Sequence, residues 1–259
     1  MSVRIHPTAV VDAAARLGDG VSIGPYAIVG PGVTIGDHTE IGPHVVLDGL
    51  TTIGARCRFT GQSSIGSPPQ DLKYAGGPTR LEIGDDNIVR EFVTMNRATE
   101  HGGGVTRVGS HGMFMAYAHV AHDCVVGDHV VMANAATLAG HVTIEDHAII
   151  GGLVAIHQFV RIGESAILGG GAMVTLDIVP YCMAAGDRAV LHGLNLIGLK
   201  RRGFAPATLV ALRSAYRTIF RSGLRLQDAL EALRTGAAED PRVAHLVRFI
   251  EESRRGICR

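Results

Sequence analysis

From Val108 to Val174 an apolar residue returns at every sixth position: Val108, Phe114, Val120, Val126, Met132, Leu138, Ile144, Ile150, Ile156, Ile162, Leu168 and Val174. The same rhythm opens the chain, from Ile5 through Val11, Leu17, Ile23, Val29, Ile35, Ile41, Leu47, Ile53 and Phe59 to Ile65. Neither the 3.6-residue period of a helix nor the alternation of an isolated strand gives this spacing. A fixed repeat sustained this long predicts a solenoid, and six is the period of the hexapeptide β-helix. Each apolar residue then points inward, three hexads complete a triangular coil, and each coil is stabilised by its neighbours. Many of the apolar residues are followed by glycine, as in Ile23-Gly24, Ile35-Gly36, Ile41-Gly42 and Ile53-Gly54. That small residue is expected to let the backbone turn toward the next face.

Two breaks interrupt the rhythm. The stretch 67–80 reads SPPQDLKYAGGPTR, with paired prolines and a Gly-Gly step, and predicts a loop extruded from the prism. Ile83, Val89 and Met95 resume the hexad for about one coil before a second break at 96–107, which contains Gly102-Gly103-Gly104. Loops protruding from a rigid solenoid are usually functional. The 26 hexads imply about nine coils. Beyond Val179-Pro180 the pattern fades, and from about Pro206 a helical period takes over. Leu209, Leu212, Tyr216, Ile219 and Phe220 form one apolar face, with Gly223 as its stop. Leu226, Leu230 and Leu233, closed by Gly236, predict a second helix. Asp240-Pro241 starts a third, with Val243, Leu246, Val247 and Ile250 inward. The expected organisation is a β-helix over 1–190 and a helical domain over 191–259 that covers the final, otherwise open coil.

Histidines fall within the main run. On coils of roughly 18 residues, His122, His141 and His157 are expected near one edge, with His119 three residues before His122. A neutral imidazole suits a general base that takes a proton from a hydroxyl. Asp123 could orient such a base, provided the chain turns between the two residues. The competing readings are polar corner residues without a role and a zinc site.

Composition sharpens the picture in three places. The 34 glycines, no Trp and 5% aromatic residues suit a narrow core with tight corners. The formal charge is zero, yet from Lys200 onward thirteen basic residues face six acidic ones, giving +7 for the tail and −7 for the rest. Such asymmetry points either to an acidic partner or to a solvated helical surface. Cys57, Cys124, Cys182 and Cys258 lie far apart and read as reduced thiols in a cytoplasmic protein. No signal peptide, membrane span or nucleic-acid partner is expected.

The segment Ala116-Tyr-Ala-His-Val-Ala-His-Asp-Cys124 resembles the active-site signature of the UDP-N-acetylglucosamine acyltransferases, which open lipid A synthesis in bacteria. The resemblance extends to Gln70-Asp-Leu-Lys-Tyr-Ala-Gly76, Leu138-Ala-Gly-His141, Ile156-His-Gln-Phe159 and Gly198-Leu-Lys-Arg-Arg-Gly-Phe204, in the family's order over nearly the whole chain. The hexad alone is shared by many acyl- and nucleotidyltransferases and says little about activity. The two motifs AHVAHDC and GLKRRGF together are specific.

The resemblance implies a homotrimer of left-handed parallel β-helices, with active sites between subunits and no cofactor or metal. It implies that a 3-hydroxyacyl chain passes from acyl carrier protein to the 3-hydroxyl of UDP-N-acetylglucosamine. His122 matches the general base, Asp123 its support and the Gly140 backbone N–H the oxyanion donor. Gln70, Asp71, Lys73, His119, His141, His157 and Gln158 match residues around the sugar and its diphosphate. Asn195, Arg201 and Arg202 match positions that reach the nucleotide. Gly170 matches the position that sets acyl length, and a glycine there leaves room for a long chain. Ile197 replaces an acidic ribose contact of some relatives, and Asn96 replaces a histidine and is given no role.

Three rivals remain at this point. A later N-acyltransferase of the same pathway carries a uridine-binding domain before its β-helix, for which hexads starting at Ile5 leave no space. A γ-carbonic-anhydrase-like zinc protein has two histidines five apart, whereas here the close pair is His119-x-x-His122 and position 117 is Tyr117. The third is a trimeric scaffold without catalysis.

Overall fold

The computed structural model describes residues 2–237 and 240–259, without the side chains of 235–237. Three parallel sheets form the faces of a prism. The first runs from Arg4–Ile5 to Ile167–Leu168, the second from Val10–Val11 to Met173–Val174, and the third from Arg16–Leu17 to Arg161–Ile162. Every one of the 26 hexad residues is the last or, at Ile65 and Met95, the inward residue of such a strand. Strands one coil apart pair in parallel, 18 residues on, as in Val131↔Ile149 and Thr137↔Ala155. Ile35, Leu47, Ile53, Ile65, Met95, Met132 and Leu138 are fully buried on the axis. Each such side chain contributes about 2 kcal/mol by leaving water. Ile5, at the open first coil, stays 47% exposed because no coil stacks beneath it.

The turn between faces is not where the glycines predict it. The residue in the left-handed backbone region stands three positions after the core residue, as in Tyr26, His38, His44, Arg56, Phe92, His129 and Phe159. The glycine directly after the core residue serves packing instead. A Cβ on Gly36 would lie 2.6 Å from the carbonyl carbon of Gly54 and 2.7 Å from the Ala55 nitrogen on the next coil. Adjacent coils approach too closely there for any side chain. Gly36→Ala is therefore expected to destabilise the protein by about 1–3 kcal/mol, read as a lowered thermal midpoint with the hexad fold retained by circular dichroism.

After Val174 the prism closes with a hairpin, Cys182–Ala185 and Val190–Leu194, added to the edge of the first sheet. The hairpin and a short helix α1 (Leu196–Arg201) carry no hexad or long helical period, and the sequence does not announce them. The 190/191 boundary falls inside the hairpin's second strand. Helices α2 (Pro206–Arg221), α3 (Leu226–Ala237) and α4 (Pro241–Glu251) follow as the periodicity predicts, α3 continuing one residue past Gly236. Pro206 and Pro241 stand in the first turns, and the Asp240 side chain caps α4 by accepting from the Arg242 N–H. Leu209, Leu212, Leu246 and Phe249 join the prism's own core, so the helices cover its last coil. All four cysteines are free and buried, and burial pushes the Cys124 thiol up to about 12. None of the described helices is long and apolar enough to cross a membrane.

Candidate active site

Both loop excursions leave from one corner. The first departs from Ser64–Ser67 in the second sheet and returns at Arg80–Ile83 in the third. The second departs from Thr94–Asn96 and returns at Val105–Val108, again second to third. On the next coil this corner holds His122 and Asp123, between His119–Val120 and Val125–Val126. Below them come Gly140 and His141, then Gln158 and Phe159. The loops and the histidines share an edge because the same two faces flank them.

Asp123 has φ 59°, so it is the turn residue of its hexad. That conformation folds its carboxylate back beside its neighbour's ring. His122 Nδ1 lies 2.8 Å from Asp123 Oδ2. The carboxylate is wholly buried and accepts from the Thr99 hydroxyl at 2.7 Å and from the Thr99 N–H at 3.2 Å. Its own backbone N–H donates to Thr106 Oγ1 at 2.8 Å. An ionised carboxylate can only accept, so the network assigns a proton to His122 Nδ1 and leaves Nε2 with a lone pair. This is the tautomer a general base requires.

Gly140 stands directly beneath His122. A Cβ there would meet the ring at 2.4 Å from Cε1 and 2.7 Å from Nε2, so only glycine lets the imidazole lie over the backbone. Four turns at the corner between the third and first sheets show how the N–H at this position of the hexad can be paired. There the N–H groups of Asp19, Ala55, Ser110 and Asp128 each donate to a carboxylate on the next coil, at 2.7–2.8 Å. At the histidine corner the capping position is occupied by Gln158, and among the described residues the Gly140 N–H has no acceptor. A donor left unpaired beside a poised base is available to a developing oxyanion.

A cavity of about 770 Å³ opens over this corner. Gln70, Asp71 and Lys73 line it from the first loop, His101 and Gly102 from the second, and His122, His141 and Gln158 from the prism. Asp71 accepts the Lys73 N–H at 2.8 Å, which together with the nearby His101 and His122 holds its carboxyl below the usual range. His141, also a turn residue at φ 61°, stacks on Phe159 at 4.5 Å and meets His122 edge-on at 5.3 Å. Burial lowers its pKa, which favours the neutral ring. His141 shares its column with Asp123 and Phe159, whereas His122 shares its own with Gly140 and Gln158.

Other expected residues lie elsewhere. His119 faces outward from the second sheet, its Nδ1 2.7 Å from Thr94 Oγ1, and burial lowers its pKa. His157 is exposed in register with Ala139 and contacts the Gln158 carbonyl at 3.1 Å, so it is not the third rung of a histidine column. Neither borders the cavity. Asn195 caps α1 and donates to the Ser165 carbonyl at 3.0 Å. Arg202 pairs with Glu164 at 3.1 Å and with the Ser165 hydroxyl, at the corner between the third and first sheets; Arg201 is exposed nearby, as is Ile197. Gly170 occupies the remaining corner, between Ile167–Leu168 and Met173–Val174. The register therefore places Gly170 on a different edge from His122.

The loops supply partners that sequence reading missed. Thr99, His101 and Gly102 sit in a stretch without periodicity, and only the Gly102-Gly103-Gly104 run marked it. Asn96 is buried and donates to the Pro68 carbonyl at 2.8 Å, fastening the root of one loop to the other. His122, Asp123 and His141 bring potential metal-ligand atoms within 4.8 Å of one another. Asp123 Oδ2, however, already accepts from His122 and Thr99, which commits the donors to each other.

A parallel hexad prism that carries an oriented histidine at a loop-covered corner defines a hexapeptide-repeat transferase. Residues 14–49 match the bacterial transferase hexapeptide repeat, and 177–258 match the second domain of UDP-N-acetylglucosamine O-acyltransferase. An acyl-[acyl-carrier-protein]–UDP-N-acetylglucosamine O-acyltransferase of Alkalilimnicola ehrlichii is 52% identical over 99% of both chains, and one of Myxococcus xanthus is 54% identical over the same shares. The crystal structure of the Moraxella catarrhalis UDP-N-acetylglucosamine O-acyltransferase is 44% identical with a TM-score of 0.95, covering 98% of this chain and 99% of that one. The Acinetobacter baumannii structure is 42% identical with a TM-score of 0.96 over the same shares. The chain belongs to the acyl-[acyl-carrier-protein]–UDP-N-acetylglucosamine O-acyltransferase family. It is an acyltransferase, its prism is a left-handed parallel β-helix, and the zinc-hydratase and scaffold readings fall away.

Proposed function

We propose that the enzyme transfers a 3-hydroxyacyl chain from acyl carrier protein to the 3-hydroxyl of UDP-N-acetylglucosamine, the first step of lipid A synthesis, with His122 as general base. The observation that carries this is the 2.8 Å His122–Asp123 contact above the unpaired Gly140 N–H. His122 Nε2 takes the proton of the sugar hydroxyl as its oxygen bonds to the thioester carbon. The Gly140 N–H holds the resulting oxyanion. Collapse of the tetrahedral intermediate breaks the carbon–sulfur bond, and the His122 imidazolium returns its proton to the departing thiolate. Asp123 keeps the ring oriented and steadies its positive charge. Asp71, Lys73, His141 and Gln158 hold the sugar and diphosphate, with Gln70, His119 and His157 at the margin. Arg217 and Arg221, four residues apart on the exposed face of α2, offer positive charge to an acidic carrier protein.

The three sets of functional positions lie on three different corners: His122 on one, Asn195, Arg201 and Arg202 on the second, Gly170 on the third. A closed homotrimer brings corners of different subunits together, so one subunit's arginines complete a neighbour's site. Mixing tests this. A His122→Ala chain and an Arg201→Ala/Arg202→Ala chain, each inactive alone, are expected to recover part of the transfer rate when co-assembled. Absence of recovery in confirmed mixed trimers counts against shared sites, and absence of transfer by the parent enzyme with both substrates removes the reading altogether.

A Cβ on Gly170 would meet only the Gly152 carbonyl, at 3.3 Å, so a larger side chain can project outward there. Gly170→Met is expected to shift preference to a shorter acyl chain, seen by mass spectrometry of product from a mixed acyl-carrier pool. An unchanged product distribution would dissociate this corner from the acyl chain.

A further inference from the structure

Three consecutive residues of the second loop each grip a different part of the site. Thr99 is fully buried and gives both its N–H and its hydroxyl to Asp123. The Gly102 N–H donates to Thr99 Oγ1 at 3.1 Å, which occupies the hydroxyl oxygen and directs its proton to the carboxylate. A Cβ on Gly102 would lie 2.2 Å from Asp123 Oδ1, so the loop closes tightly against the acid. Glu100 Oε1 accepts the Gly77 N–H at 2.6 Å, near the end of the first loop. His101 Nε2 reaches Asp71 Oδ2 at 3.3 Å in the cavity.

We infer that Thr99 and His101 are positioning residues: their segment joins the carboxylate that orients the base to the carboxylate of the acceptor-binding loop. The inference rests on His122 being the base and on Asp71 facing the sugar nucleotide. Thr99 fixes one Asp123 rotamer, and with it the His122 ring, because a carboxylate with three donated hydrogen bonds has one low-energy orientation. His101 holds Asp71 facing the cavity before the acceptor arrives. The two contacts act on different steps, Thr99 on the proton transfer and His101 on acceptor capture.

Steady-state kinetics with acyl carrier protein donor and UDP-N-acetylglucosamine separate these roles from plain structural support. Thr99→Val keeps the shape and removes the hydroxyl. It is expected to lower kcat by about 10- to 100-fold, the size of a lost hydrogen bond to a charged group, with both KM values within about twofold. Thr99→Ser restores the donor and is expected to restore kcat to within about threefold. His101→Gln is expected to raise KM for the sugar nucleotide about fivefold or more, leaving the donor KM and kcat near the parent values. The inference is overturned if Thr99→Val keeps the parent kcat, if serine does not rescue it, or if the loss comes with unfolding or an equal rise in both KM values. It is likewise overturned for His101 if the two KM values move together or neither moves. A failure of the base assignment is distinguishable, since it would appear as undiminished rate in His122→Ala.

Discussion

His122→Ala is expected to reduce kcat for acyl transfer by about three orders of magnitude, near the middle of what a positioned acid–base group contributes. The sugar 3-hydroxyl is a very weak acid, and without Nε2 its proton has no acceptor while the carbon–oxygen bond forms. The neighbouring imidazole cannot substitute. His141 Nε2 lies 3.8 Å from Asp123, its ring is stacked on Phe159, and burial lowers its pKa. The KM for UDP-N-acetylglucosamine should change much less, because Asp71, Lys73 and Gln158 remain. The fold should also survive: Asp123 keeps the Thr99 hydroxyl and N–H, so the truncation does not leave its charge without donors. Steady-state rates with a saturating acyl-carrier donor, alongside a thermal melt, check all three parts. A variant that turns over at the parent rate would show that the base is another group.

The prism could be read before any coordinate because its one requirement, an inward apolar residue, repeats at all 26 hexads on either side of two breaks. The turns could not. Tyr26, His38, Arg56, Phe92 and His129 share a backbone conformation that none of these residue types adopts by preference. Their positive φ is accompanied by stacking from coil to coil, as in the parallel rings of His111, His129 and His147 at 4.7 and 4.5 Å, a contact visible only once the register is known. The glycines, which did leave a mark, report a close approach between coils rather than a bend. The same confusion runs through the site. Spacings of 19 and 16 residues suggested one column of histidines, yet an 18-residue register places His141 under Asp123 and leaves His157 aside. His122 and Asp123 were legible through a motif. Thr99 and His101 were not, because their contacts depend on how a non-repeating loop folds back onto the corner it left.

That register also explains why the candidate base and the unpaired Gly140 N–H share one corner. Along the edge between the third and first sheets, Asp37, Asp85, Asp128 and Asp146 each cap the turn of the coil before. At those four turns the N–H equivalent to that of Gly140 is already paired and has nothing to offer an oxyanion. At the edge between the second and third sheets, two loops replace two turns, and the capping carboxylate is missing below Gly140. Catalytic capacity arises where the repeat stops satisfying itself.

Gly140→Ala is the most demanding test of this arrangement, because it adds one carbon and removes no functional group. The backbone conformation of Gly140 is one that alanine adopts freely, and its N–H stays in place. The new Cβ, however, would stand 2.4 Å from His122 Cε1, far inside van der Waals contact. The imidazole is the movable partner, since the backbone beneath it is pinned by neighbouring coils, as in the His141 N–H to His122 carbonyl bond at 3.0 Å. The ring must therefore swing away from Asp123 or outward over the cavity, separating the base from the oxyanion donor. A misplacement of about 1 Å costs roughly 100-fold in rate, so kcat should fall by about that factor or more. Stability should change far less than in Gly36→Ala, where the added carbon meets backbone atoms of the next coil. A Gly140→Ala enzyme with the parent's kcat would mean that the ring acts from a position other than over this glycine. One with a greatly lowered melting temperature would mean that the position serves packing, as Gly36 does. Reduced turnover in a normally stable protein is the outcome that the geometry requires.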